Sequence, residues 1–428
     1  MSESARRAVR DHLVAARAEQ VAMLAELVRQ PSDNPPGDCA PHAARAAALL
    51  EAMGFTVERH VVPAELVAGC GMRSCVNLVV RHSFGSTDRD TRGPTIALNA
   101  HGDVVPPGEG WSTDPYGAEV REGRMYGRGV AVSKSDIATY AWALAALKAR
   151  GSTPAAPLSG TVELHVTYDE ETGGEIGPAW LLKSGLSNPD YAIGAGFAWG
   201  ITTAHNGALH LEVEVQGRSA HAASPATGTD AMEAANAIMS ALYGLRRGYD
   251  VLNSRIPGIS HPTLVIGLVR GGINTNVVPD RVVFRLDRRI IPDEDAAGVE
   301  RLLTEQIMAA AARWPDIRCE VRRVLLASPF VPMPGQKLLV DAIRRNAYEV
   351  LHEDIHPRGV PLYTDARHYS AAGVPTVLYG AGPRMLEEAN GHRADENLLL
   401  DDLYRATEVV ALTLLDLLTP ATHGPHSP

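Results

Sequence analysis

Apolar residues recur at helical spacing over residues 9–28 and again over 43–53, where Gly54 offers a stop. Short runs rich in aliphatic and β-branched residues follow at 76–80, 95–99 and 162–167, with a long helical pattern over 136–150 between the last two. Strands that alternate with helices predict an α/β fold with a mostly parallel sheet, in which functional residues gather at the carboxyl ends of the strands. A further short strand is predicted at 190–193.

From Gly207 the pattern changes. An alternating strand at 210–215 precedes a helix at 230–245, strands at 263–269 and 282–288, a helix at 294–313 and a strand at 318–325. This block has its own apolar faces and reads as an inserted α+β domain over 207–326. The flanking segments, 1–206 and 327–428, then form one interrupted domain. The second flank holds a helix at 336–351, an apolar strand at 375–379 and an amphipathic helix at 400–417. The tail at 422–428 is expected to be disordered.

Composition narrows the class. The 428 residues are 45% hydrophobic and 21% charged, and 40 Lys+Arg against 50 Asp+Glu give a formal charge of −10 with no long run of either sign. A nucleic-acid or anionic-membrane surface is not expected from this balance. Cys39, Cys70, Cys75 and Cys319 show no CxxC spacing and cannot form a disulfide scaffold in so long a chain, so reduced thiols and a cytoplasmic location are expected. No apolar stretch approaches the roughly 20 residues of a membrane helix, and the N-terminus has no signal-peptide pattern.

Three short segments could carry chemistry. His101-Gly102-Asp103 follows the 95–99 strand, so Asp103 could hydrogen-bond one imidazole nitrogen and leave the other for a metal. Asp169-Glu170-Glu171-Thr172-Gly173-Gly174 follows another strand; adjacent side chains in extended backbone point apart, which would give the two glutamates different jobs, one ligating a metal and one handling a proton. His392 stands in Gly391–Glu396, just ahead of the last helix. Taken singly, the first two read as solvated strand-end turns, and the third means nothing.

Their order and surroundings say more. The stretches 100–111, 114–116, 123–129, 167–174, 217–225, 276–280, 287–292, 364–367 and 379–383, with the His392 segment, resemble the zinc aminoacylase family. That family includes acetylornithine deacetylase, succinyl-diaminopimelate desuccinylase, carboxypeptidase G and aminoacylase, and the resemblance covers roughly residues 25–418. It implies a catalytic α/β domain interrupted by a dimerisation or lid domain, a homodimer, a small carboxylate-bearing substrate and two zinc ions sharing a bridging carboxylate. Residue by residue, it implies His101 as a ligand of one metal and Glu171 and His392 as ligands of the other. Asp103 would orient the first histidine and Glu170 would be the general base. His221 would steady the oxyanion from the lid, while Asn276 and Arg289 would hold the substrate carboxylate.

The sequence departs from that pattern at two ligands. Val132 stands where the resemblance places the bridging Asp, and Ala195 where it places another carboxylate ligand. Two zinc ions bring four positive charges, yet beside the base only Glu171 remains to offset them. A dinuclear site is therefore not expected; at most one zinc on His101, Glu171 and His392 remains open, as does none. Lys134 could supply charge in the vacated space, Asp136 lies too far along its helix for a ligand, and His205 reads as a structural histidine. Three functions stay open: hydrolysis of the amide bond of an N-acyl or N-carbamoyl amino acid or small peptide; metal-independent lyase, decarboxylase or epimerase chemistry; and non-catalytic binding.

Overall fold

The computed structural model describes residues 3–85, 93–151 and 157–420; the tail expected to be disordered lies outside them. The chain divides into two compact units. The first takes Met1–Thr203, Pro332–Pro357 and Thr364–Pro428, and the second Ala204–Val331 with Arg358–Tyr363.

The sheet of the first unit runs in the order Val57–Val61, Val76–Phe84, Gly160–Thr167, Thr95–His101, Tyr191–Gly194, Thr376–Leu378 and Ile201–His205. Its four middle strands, Gly160–Thr167 to Thr376–Leu378, are parallel, while antiparallel strands flank them on both sides. Every residue of Thr95–His101 is buried, as a parallel strand covered on both faces requires. Helix Lys134–Arg150 is buried along most of its length, which explains its weak amphipathic pattern. The predicted 9–28 segment is two helices, Glu3–Ala15 and Arg17–Arg29, separated at Ala16 (φ −92°, ψ 6°). The break lets Val9 and Leu13 on one side and Leu24 and Val28 on the other reach the same core.

A three-stranded sheet of Asn397–Leu399, Arg124–Tyr126 and Glu119–Arg121 also belongs to this unit. Its strands are three residues each, too short to leave a legible alternation in the sequence. It fixes the segment after His392 beside the turn at 127–131, where the Gly127 amide donates to the Glu396 carbonyl at 2.9 Å.

In the second unit, four antiparallel strands run in the order Thr263–Gly271, Arg281–Ile290, Gly207–Gln216 and Arg318–Ala327. Along Gly207–Gln216 buried and half-buried residues alternate from Leu209 onward, and the buried set packs on helices Ala231–Arg246 and Ala296–Ala311. Asp230 and Asp295 cap these helices, accepting hydrogen bonds from first-turn amides. The other face is polar: Glu212 pairs with Arg285 and Arg322 at 2.7 Å each, and Glu214 with Arg281 at 2.7 Å. Residues 358–363 return to this unit, Gly359 donating to the Pro257 carbonyl at 2.7 Å.

Candidate active site

The site forms where two parallel strands end side by side. His101 closes Thr95–His101 and pairs in register with Thr167, so the turn after Thr167 lies against the turn after His101. The His101 Nδ1 lies 3.0 Å from the Asp103 main-chain oxygen and 3.4 Å from its Oδ1. A carbonyl only accepts, so Nδ1 carries a proton, and Nε2 faces Glu170 Oε2 at 3.9 Å.

Asp103 is completely buried. Its carboxylate accepts from the Asn34 side-chain amide at 3.0 Å and from the backbone amides of Glu170 at 3.3 Å and Glu171 at 3.2 Å. One carboxylate therefore fixes both the imidazole and the glutamate pair. The pair is not extended: Glu170–Thr172 is one turn of 3-10 helix. The expectation that the two side chains point apart is corrected here, because this winding brings both to one place. Nitrogen and oxygen atoms of His101, Glu170 and Glu171 lie within 4.8 Å of one another. His392, with φ 62° and a side chain 62% exposed, brings its Nε2 to 3.7 Å from Glu171 Oε1.

Negative charge is concentrated at this point. Burial, reinforced by Glu171, Asp365 and Asp103, pushes Glu170 well above the usual carboxylate range. Burial, with Asp103 and Glu396 nearby, moves Glu171 up to about 7. His101 moves the other way from what burial dictates, because Glu170, Asp103 and Glu171 hold its proton. So many carboxyl groups around one imidazole fit a cation. Ser133, next to Val132, accepts from the His101 amide at 3.1 Å, and the Ala195 amide donates to the Asn99 carbonyl at 2.8 Å. Both substituted positions thus flank the strand that ends in His101 and bring no donor to it. Donor atoms of His101, Glu170 and Glu171 lie close enough together to hold a divalent cation, and neither Val132 nor Ala195 offers a carboxylate to a second.

Several supporting residues were not assigned from the sequence. Asp365 is buried and its Oδ2 lies 3.4 Å from the Thr167 hydroxyl. Arg367 and His368 both donate to the Gly173 carbonyl, His368 at 2.9 Å, and brace the glutamate turn. The motif at 364–367 was the available signal for them. Arg128 and Glu396 form a buried pair at 2.6 Å, and Glu396 also accepts from the Ala131 amide at 3.0 Å. Lys134 Nζ donates to the Gln30 carbonyl at 3.1 Å, and burial pulls it down to about 7.

The second unit carries the other expected residues. His221 and Asn276 are neighbours: the Ala222 amide donates to the Asn276 carbonyl at 3.0 Å, and the Ala223 amide to His221 Nδ1 at 3.0 Å. Arg289 is held by Asp287 at 3.0 Å, with its guanidinium 5.8 Å from the Tyr363 ring centre. His205 is buried, with Nδ1 2.9 Å from the Asn206 carbonyl.

The sequence profile of Peptidase family M20/M25/M40 matches residues 97–416. The chain belongs to this family. Among its curated relatives, acetylornithine deacetylase of Proteus mirabilis is 28% identical over 353 residues, covering 81% of this chain and 82% of the relative. Succinyl-diaminopimelate desuccinylase of Nautilia profundicola is 25% identical, covering 77% and 86%. Among solved structures, a Saccharomyces cerevisiae dipeptidase superposes with a TM-score of 0.76 at 16% identity, covering 97% of this chain and 99% of that one. A Bacillus subtilis protein described as a dinuclear metal-binding peptidase of the same family superposes at 0.63 with 17% identity, covering 94% and 99%. This peptidase-family chain is a hydrolase acting on amide bonds, and no helix among its described residues is long and apolar enough to cross a membrane.

Proposed function

We propose that the protein hydrolyses the amide bond of an N-acyl or N-carbamoyl amino acid or small peptide, with at most one zinc ion. The observation that carries this reading is the convergence of buried His101 and half-buried Glu170 and Glu171 on one point, with Asp103 behind them. Family membership favours hydrolysis over the lyase, epimerase and binding-protein readings.

Glu171, His392 and His101 would hold the ion, which would polarise the scissile carbonyl. Glu170, beside Nε2 of His101, takes a proton from the attacking water and passes it to the leaving amine. Its raised affinity for a proton suits both halves of that task. With an ion bound, Asp103 would keep His101 in the tautomer that offers Nε2 a lone pair. In the second unit, His221 would steady the oxyanion, and Asn276 with the Arg289 fork would hold the substrate carboxylate. Asp287 already occupies Nε of Arg289 and leaves the two terminal nitrogens for a ligand.

The working form we propose is a cytoplasmic homodimer joined through the second unit. Its edge strand Thr263–Gly271 exposes Val265 and Val269 by 53% and 47%, as a strand left for a partner does.

Elemental analysis of the purified full-length chain tests the centre of the proposal. About one equivalent of zinc is expected, with hydrolysis of N-acetyl or N-succinyl amino acids abolished by chelation and restored by zinc. Undiminished turnover by metal-free protein, or two tightly held ions, would overturn it.

A further inference from the structure

The first unit holds another buried carboxylate that none of these roles uses. Asp136 stands in the first turn of helix Lys134–Arg150, four residues beyond Val132, and is 1% exposed. Its Oδ1 accepts from the Ala381 amide at 2.7 Å, and its carboxylate also receives the Gly196 amide. Residues 195–197 and 379–382 are the turns that leave two neighbouring parallel strands, Tyr191–Gly194 and Thr376–Leu378. One helical turn further on, the Tyr140 hydroxyl donates to the Tyr379 carbonyl at 2.9 Å. Positions four apart share a helix face, so a single face offers these turns both an acceptor and a donor.

The fit leaves no slack. A Cβ at Gly380 would lie 1.8 Å from Asp136 Oδ1, and one at Gly196 would lie 2.7 Å from the Tyr379 nitrogen. The turns also hold each other, with Gly382 donating to the Gly196 carbonyl at 2.8 Å and Tyr379 to the Gly194 carbonyl at 3.0 Å. An apolar side chain at 136 would strand buried amides that the carboxylate now satisfies. The carboxylate is thus a structural link to the same turn that carries Ala195, one of the two positions without a metal donor.

We infer that Asp136 is a positioning residue that organises the Ala195 turn from inside the protein, in place of the metal contact that the family resemblance puts at position 195. A carboxylate at 195 would tie the turn to a cation through its side chain; Asp136 ties the same turn through its backbone. The inference rests on the reading that turns at the carboxyl ends of the parallel strands wall the active site. It follows that the turn is ordered with or without a bound ion, so the loss of a ligand at 195 does not loosen the wall.

Hydrogen–deuterium exchange on the full-length chain, chelated and zinc-loaded, tests this. Amides in 194–198 and 379–382 are expected to be equally protected in both forms. In Asp136→Leu they should exchange on the order of tenfold to a hundredfold faster, the range set by a lost charged hydrogen bond, with exchange in the second unit unchanged. Asp136→Asn keeps an acceptor and should recover most of the protection. In kinetics, Asp136→Leu should raise KM with kcat nearly kept, because Glu170 is untouched, and Asn should restore KM. Protection that appears in the wild type only with zinc, or that survives in Asp136→Leu, would overturn the inference. The wild-type comparison stands even if the leucine variant fails to fold. A chain that hydrolyses no amide would overturn the proposed function and leave the exchange result to decide this one.

Discussion

At Asp103, two carboxylate oxygens serve three hydrogen-bond donors and one imidazole, with no water access. An asparagine there keeps the shape but turns a donor toward at least one donor, which leaves a buried group unsatisfied. Asp103→Asn is therefore expected to lower zinc affinity and kcat/KM by roughly 10- to 100-fold each, as changes behind a metal ligand do; titration with a chelating indicator and steady-state kinetics would measure both. An unchanged zinc affinity would remove Asp103 from its orienting role. Its relation to His101, two residues away, was legible because a strand end places such residues together. Its hold on Glu170 and Glu171, 67 and 68 positions along, was not, because that contact exists only through the pairing of parallel strands.

Among elements, the turn at 127–131 and the segment after His392 depend on one buried ion pair. Arg128 donates to Glu396 and to the carbonyls of Pro107 and Arg393, and its guanidinium lies 5.2 Å from the Trp111 ring centre. Removing one partner of such a pair leaves a buried charge uncompensated, at a cost of about 3–5 kcal/mol. Arg128→Met should lower the thermal midpoint of the chain and, through the loosened His392 segment, weaken zinc binding. A midpoint within error of the wild type would show that the pair is dispensable. The same scale explains two sequence expectations that needed revision. The 9–28 periodicity hid a break at Ala16, since both helices bury apolar residues and the pattern continues across the junction. The glutamate pair, read as extended because it follows a strand, is wound into 3-10 helix, where Asp103 accepts from its first two amides.

For the whole molecule, the proposed dimer gives a direct test. A lysine at an exposed position of an edge strand opposes pairing with another strand, so Val265→Lys is expected to convert a dimer to a monomer in light scattering without unfolding either unit. A wild-type chain that is already monomeric would overturn the dimer. The long apolar strands, the change of pattern at Gly207 and the three chemical segments were decided by the sequence itself, because burial periodicity and motif order are local properties. So was the absence of a carboxylate at Val132 and Ala195, which no folding can supply. Only the tertiary structure decided that Asp365, Glu396 and Asn34 support the glutamate and histidine segments, that residues 358–363 return to the second unit, and that Asp136 reaches the Ala195 turn. Each of those contacts joins residues distant in the chain, and their geometry follows from strand order and packing, which hydrophobic periodicity alone does not fix.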